Sequence, residues 1–245
     1  MKKSIVLIYG LVSYLLFFGT FLYAFGFVGN LFVPKSIDGE PQVPLAQALL
    51  INGLLLSLFA IQHSVMARPG FKKWWTKIVP EPAERSTYVL LSSLCLILTF
   101  WLWQPMGGFI WNVQDPTFKT ILTAIFISGW LIVLLATFMI NHFDLFGLRQ
   151  VWMYFRGKEY QPLRFRTPFF YKYVRHPLYL GWLIAFWATP VMSAAHLVFA
   201  LLTTGYIFVA IRFEEKDLTT HFGNKYSDYK KQVPMILPVG KKKRA

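Results

Sequence analysis

The stretch Tyr171-Lys-Tyr173-Val-Arg175-His176-Pro177-Leu-Tyr179-Leu-Gly181-Trp182 sets ionisable and aromatic groups directly against the start of an apolar run. Proline steers the residue before it away from helical conformation and suits a first helical position, so the spacing predicts a helix beginning at Pro177. Arg175 and His176 then stand at its mouth, where free backbone N–H groups and the helix dipole favour a carboxylate or phosphate. One apolar hairpin later come Arg212-Phe-Glu214-Glu215-Lys-Asp217-Leu218, then Phe222-Gly223 and Tyr226-Ser-Asp-Tyr229. Arg212 and Glu215, three apart, can pair on one helical face, which leaves at least one carboxylate for a ligand. A cationic and an acidic cluster therefore return to one place, and together they suit a zwitterion.

A second constellation is Asn141-His142-Phe143-Asp144-Leu-Phe146-Gly147-Leu-Arg149-Gln150, at the end of another apolar run. Ionisable groups at such a depth are costly unless paired or used. A structural pair of Asp144 with Arg149 or His142 is the plain alternative to a catalytic role. His63 also closes an apolar run; its ordinary reading is a satisfied hydrogen-bonding residue, its other reading a functional one. Pro80-Glu-Pro-Ala-Glu84-Arg85-Ser86 predicts a turn before a helix capped by Ser86, with Tyr88 just inside it and Arg85 as a possible anchor at the membrane face. Glycine-rich phosphate loops, a Gly-x-Ser-x-Gly elbow and a His-Glu-x-x-His pair do not occur, and the 5 His are scattered. A single Cys95 excludes an intrachain disulfide and a cysteine zinc site, so no metal is expected.

The elements that must hold these groups are membrane helices. Of the 245 residues 56% are hydrophobic and 15% charged, with a net charge of +14, too apolar for an ordinary soluble domain. About 20 apolar residues span a bilayer, and runs at about 5–28, 45–66, 86–103 and 118–140 qualify. The shorter runs 178–192 and 195–211, separated by Pro190 and Met192-Ser-Ala-Ala, predict a tight helical hairpin. The expected fold is all-α, a polytopic bundle of about six transmembrane helices whose last two form that short hairpin. The opening Met-Lys-Lys run imitates a signal peptide but is too long, and is read as the first helix.

Cytoplasmic N- and C-termini would place all but Lys35 and Lys119 of the 25 Lys and Arg on the inner side. The same topology puts Phe71-Lys-Lys-Trp74-Trp75 along the inner interface, 31–44 in an outer loop and 151–170 in a basic cytoplasmic loop. The tail Lys241-Lys242-Lys243-Arg244 then suits anionic lipid rather than nucleic acid. No repeat or boundary divides the chain, which predicts a single domain over 1–245.

With this topology His63, Arg68, Arg85, His142, Asp144, Arg149, Arg175, His176, Arg212, Glu214 and Glu215 all fall on one side of the membrane. Polar groups in bundles gather where substrates pass, so one cytoplasm-facing cavity is expected. Its two charges describe the amino-acid end of S-adenosylmethionine.

The two C-terminal motifs, Arg175-His176-Pro177-x-Tyr179-x-Gly181 and Arg212-x-Glu214-Glu215 with Phe222-Gly223-x-x-Tyr226, resemble the signature of the isoprenylcysteine carboxyl methyltransferase and phospholipid methyltransferase group. That resemblance implies S-adenosylmethionine as cofactor, held by a region of about 171–237, with Tyr173, Arg175, His176, Tyr179, Glu214 and Glu215 lining its pocket. Gly29–Ile37, Gln62-His63-Ser64, Glu84-Arg85-Ser86-Thr-Tyr88 and the 141–150 stretch resemble the bacterial methanethiol S-methyltransferases, relatives of NnrU-like membrane proteins. This second resemblance implies methylation of methanethiol to dimethyl sulfide, and similarly of hydrogen sulfide, in a bacterial inner membrane.

Such a reaction needs a thiolate, because a free alkyl thiol titrates at roughly 8.5 or higher. Asp144 or His142, with Tyr88, Arg149 and His63 nearby, is expected to accept the proton or hold the thiolate. A small aromatic-lined cavity would exclude larger thiols, with Phe143, Phe146 and Trp152 as its walls. The expected partners are a small thiol and the lipid bilayer, with no nucleic acid and no obligate protein partner. A prenylcysteine or phospholipid acceptor is the nearest rival, and a non-enzymatic NnrU-like accessory protein the next.

Overall fold

A computed structural model describes residues 2–239; the Lys241–Arg244 tail lies outside them. Five helices are long and apolar enough to cross a membrane: α1 (Lys3–Gly29), α2 (Leu45–Ala67), α4 (Glu81–Leu102), α5 (Pro116–Ile140) and α9 (Ala194–Phe222). Short helices fill the connections: α3 (Pro69–Trp75), α6 (His142–Leu145), α7 (Leu148–Phe155), α8 (Pro177–Trp187) and α10 (Asn224–Gln232). A small ladder pairs β1 (Phe109–Asn112) with β2 (Val191–Ser193). The protein is a polytopic helical membrane protein.

Three local readings are corrected by this fold. The last two apolar runs are unequal rather than a pair of short helices: α8 has 11 residues, whereas α9 has 29 and carries Arg212, Glu214 and Glu215 on its own continuous turns. Hydrophobic periodicity ends at Ile211, but i→i−4 bonding needs no apolar side chain and continues through the charged turns. Ser86 is not a cap, because α4 begins at Glu81, with Pro80 before it and Pro82 in the first turn. The 151–170 segment opens with helix rather than loop, since α7 extends to Phe155.

The chain divides into two compact units. The first comprises residues up to Gly108, His142–Pro162 and Ser193–His196; the second comprises Phe109–Asn141, Leu163–Met192 and residues from Leu197 onward. In the first unit α4 packs against α1 and α2, and α7 against α1 and α4. Buried Val6, Ala83 and Val151 form one core patch, and Met66, Tyr88 and Val89 another. The 31–44 connection is pinned: Trp103 Nε1 donates to the Ile37 carbonyl at 3.0 Å, and fully buried Asn52 exchanges hydrogen bonds of 2.8 and 2.9 Å with the Gln104 backbone. Burying an amide and an indole is tolerable because each polar atom finds a backbone partner.

In the second unit α5 and α8 pack together. Their contact runs through two glycines: a Cβ at Gly181 would sit 2.8 Å from the Gly129 carbonyl oxygen, and one at Gly129 would sit 2.7 Å from Ala185 N. Small residues let membrane helices approach backbone to backbone. Gly181 therefore sets where α8, and with it His176, stands. Trp187 Nε1 ties α8 to α9 through the Thr204 hydroxyl at 2.9 Å.

Candidate functional site

In the second unit Pro177 opens α8 as expected, but the flanking His176, at φ −126° and ψ 63°, is outside helical conformation without being extended. The backbone of this turn is strapped by the C-terminal segment, Arg175 N donating to Pro234 O at 2.9 Å and His176 N to Met235 O at 3.1 Å. Side chains then converge on one carboxylate. Glu215 accepts from Arg175 Nε at 2.7 Å, lies 3.1 Å from His176 Nε2 and pairs with Lys230 Nζ at 2.9 Å. Glu215 is thus taken by Arg175, His176 and Lys230 rather than left for Arg212. Arg175 is equally committed, since its Nη1 donates to the Lys230 and Val233 carbonyls at 3.1 and 2.5 Å.

Glu214 differs. Its side chain is 42% exposed and its carboxylate lies 3.9 Å from His176 Nδ1. Tyr179 faces the His176 ring at 5.6 Å, and Tyr173 is exposed. Tyr226, only 2% exposed, has a hydroxyl with no hydrogen-bond partner among the described residues. Burial, reinforced by the charges of Glu215 and Glu214, pushes that phenol well above its ordinary value, so it stays a donor. Tyr229 donates to the Tyr171 carbonyl at 2.6 Å, and burial followed by the Glu214 charge raises Tyr171 as well. Tyr226 and Lys230 were not among the expected site residues; Tyr226 lies in the quoted Phe222-Gly223-x-x-Tyr226 spacing, whereas nothing local distinguishes Lys230 from its neighbour Lys231.

The first unit holds the other expected residues in three groups. His63 and Tyr88 do meet, the hydroxyl 2.9 Å from Nε2 and 3.0 Å from Nδ1, with Ser92 Oγ 3.2 Å from Nδ1. Arg85 is more than an anchor at the membrane face: it covers the Tyr88 ring at 4.9 Å while its Nε donates to Leu145 O at 2.7 Å, joining α4 to α6. Asp144 pairs with Arg149 at 2.7 Å and accepts from the Tyr160 hydroxyl at 3.0 Å. Burial, then the Asp144 charge, raises the Tyr160 phenol.

His142, 3% exposed, lies 2.8 Å from the Tyr14 hydroxyl through Nε2. Burial holds His142 below its ordinary 6.5, so it is neutral at pH 7. Tyr14 carried no signal beyond being a hydroxyl inside an apolar run. Phe146 joins the groups: it packs against the Met66, Tyr88 and Val89 patch, stacks on Phe17 at 3.8 Å and meets the His142 ring at 4.9 Å. Phe143 also borders His142 at 5.5 Å, but is 51% exposed. Trp152, equally exposed, sits on α7 with Phe155 and beneath Arg156, the residue that follows the helix. Gly147, at φ +89°, fixes the turn between these groups; a Cβ there would lie 2.7 Å from Ser86 Oγ.

No group of three or more His, Cys, Asp or Glu suited to a metal occurs among the described residues. Residues 118–225 match the phospholipid methyltransferase family. A methanethiol S-methyltransferase of Crocosphaera subtropica is 57% identical over 243 residues, covering 99% of this chain and 95% of that protein. One from Mycobacterium tuberculosis is 52% identical, covering 97% and 98% of the two chains. Methanethiol S-methyltransferase 1 of Bradyrhizobium diazoefficiens is 54% identical, covering 96% and 83%. No solved structure matches the chain. Identity of this order over nearly the whole length is decisive: the chain belongs to the methanethiol S-methyltransferase family and is a membrane methyltransferase.

Proposed function

We propose that this chain transfers a methyl group from S-adenosylmethionine to methanethiol, giving dimethyl sulfide, and to hydrogen sulfide, giving methanethiol. In this reading both units serve one methyltransferase domain over 1–245, in a bacterial inner membrane with both termini cytoplasmic. The observation that carries it is the contrast at the α8 mouth: Glu215 is fully engaged, whereas Glu214 is open and the buried Tyr226 hydroxyl has no partner among the described residues. A ligand with an ammonium and a carboxylate group fits that set. Glu214 takes the ammonium, the α8 N-terminus and the Tyr226 hydroxyl are donors for the carboxylate, and His176, its Nε2 turned to Glu215, lines the site between them. Tyr173 and Tyr179 line the same pocket, and Arg175 and Glu215 hold its shape.

When bound, the sulfonium supplies an electrophilic methyl group. The chain must supply the thiolate. His142, neutral because it is buried, accepts the thiol proton, and Tyr14 fixes its ring. Asp144, bound to Arg149 and Tyr160, holds the turn that carries His142; proton transfer to Asp144 itself is the second assignment. Tyr88, hydrogen-bonded to His63, packs beside Phe146, and Phe146 with Phe143 forms the wall against which a small apolar thiol is held. Opposite charges cancel as thiolate and sulfonium react, so excluding water lowers the barrier.

Headspace detection of dimethyl sulfide tests the reading, using purified protein with methanethiol, with and without S-adenosylmethionine. Cofactor-dependent product is expected. Cofactor binding without product would indicate a larger acceptor, such as a prenylcysteine or a phospholipid amine. Neither binding nor product would sink the enzymatic reading in favour of an accessory protein.

A further inference from the structure

The part of α9 beyond its apolar run carries a second binding feature, independent of the α8 mouth's ligand. Leu201, Gly205, Phe208, Val209, Arg212 and Lys216 recur at helical spacing on one face of α9, and all six are exposed. Leu201, Phe208 and Val209 are 52%, 41% and 47% exposed, as a lipid-facing stripe should be. A Cβ at Gly205 would meet nothing within 4 Å, so the stripe has a shallow notch in its middle. The stripe turns cationic at Arg212, one helical turn or about 6 Å beyond Phe208. A headgroup layer of roughly 5–8 Å borders the hydrocarbon, so this change in chemistry matches the step from acyl chain to phosphate.

Arg212 and Lys216 do not simply point into solvent. They line a groove with Glu215, Thr219, Thr220 and, from α10, Lys230. The Glu215 carboxylate in its wall is already held by Arg175 and Lys230, at 2.7 and 2.9 Å. An anion entering the groove therefore meets a net positive field. The hydroxyls of Thr219 and Thr220 donate to the Glu215 and Lys216 carbonyls at 2.6 and 3.0 Å, which leaves the cations as the binding groups. Arg212 and Lys216 enter no ion pair among the described residues.

We propose that this face of α9 holds one anionic phospholipid, with its phosphate among Arg212, Lys216 and Lys230 and an acyl chain along Leu201, Gly205 and Phe208. The phosphate alone could come from solution, but the apolar stripe in register beneath the groove selects a lipid.

Native mass spectrometry of the full chain in detergent, without cofactor, tests this. Phosphatidylglycerol, phosphatidylcholine and inorganic phosphate are titrated separately. One phosphatidylglycerol should be retained in preference to phosphatidylcholine. Replacing both cations (R212Q with K216Q) should weaken phosphatidylglycerol roughly 30-fold while leaving phosphatidylcholine unchanged. R212K with K216R should keep the lipid. Gly205→Leu, which has room for its side chain, should fill the notch and weaken retention several-fold without altering charge.

Equal retention of the two lipids by the native chain would overturn the proposal. So would full competition by millimolar phosphate, which would mark a free-anion site, or unchanged affinity in both R212Q/K216Q and Gly205→Leu. No arm uses the cofactor, so failure here leaves the proposed methyl transfer standing.

Discussion

The polar residues of the two units are put together in opposite ways. In the second, Arg175, His176 and Lys230 surround one carboxylate, Glu215, and the cluster is a network of charges. In the first, histidine meets tyrosine, His142 with Tyr14 and His63 with Tyr88, while the ion pair Asp144–Arg149 stands on the turn beside His142. A charge network is rigid and suited to holding a charged ligand, because removing one partner strands the others. Neutral histidine–tyrosine pairs hold less energy but can take up a proton.

The largest expected effect is on the charge network. Glu215→Ala should strand Arg175, His176 and Lys230, costing about 3–5 kcal/mol in thermal unfolding and abolishing cofactor binding by calorimetry. Glu214→Gln should weaken cofactor binding roughly tenfold, the loss of one charge-assisted hydrogen bond, at unchanged unfolding temperature. Equal effects from the two glutamates would remove the distinction between holding the pocket and contacting the ligand.

Next comes the protonation machinery. His142→Gln should lower turnover by about 10²–10⁴-fold with cofactor affinity intact. Asp144→Ala should also abolish turnover without weakening the cofactor. Exchanging the charges, Asp144→Arg with Arg149→Asp, separates its two roles: recovered turnover marks the ion pair as positioning, and continued inactivity marks Asp144 as the base.

Gly181→Leu should cost about 1–3 kcal/mol by forcing α5 and α8 apart. Limited proteolysis should show cleavage sites appearing in the second unit first. Simultaneous loss of both units would show that they unfold as one.

The smallest effects concern pH and Tyr14. Burial lowers the folded-state value of His142 beneath 6.5, so the unfolded chain takes up that proton first as pH falls. The stability His142 contributes is therefore complete above about pH 6.5 and is lost as pH drops through its folded value. His142→Gln should flatten that part of the unfolding profile. Tyr14→Phe should cost about 1 kcal/mol and lower turnover by up to tenfold. An unchanged pH–rate profile in Tyr14→Phe would remove Tyr14 from the site.

The sequence by itself determined the membrane class, four of the long helices to within a few residues, and the start of α8 at Pro177. These follow from local chemistry: apolar runs of bilayer length, and a proline whose own fixed φ suits the first position of a helix. It also marked both chemical stretches, because charged residues bordering apolar runs are conspicuous. Tertiary structure decided which of the marked groups were already satisfied. Arg212 and Glu215 are spaced to pair, yet Glu215 binds Arg175, 40 residues away, and Lys230 from α10; no helical periodicity encodes that choice. Tyr14 and His142 are 128 residues apart and meet only because α1 and the α6–α7 turn share a unit. The length of α9 was hidden for a related reason: its charged end is helical without being apolar, so hydrophobic pattern stops where hydrogen bonding continues.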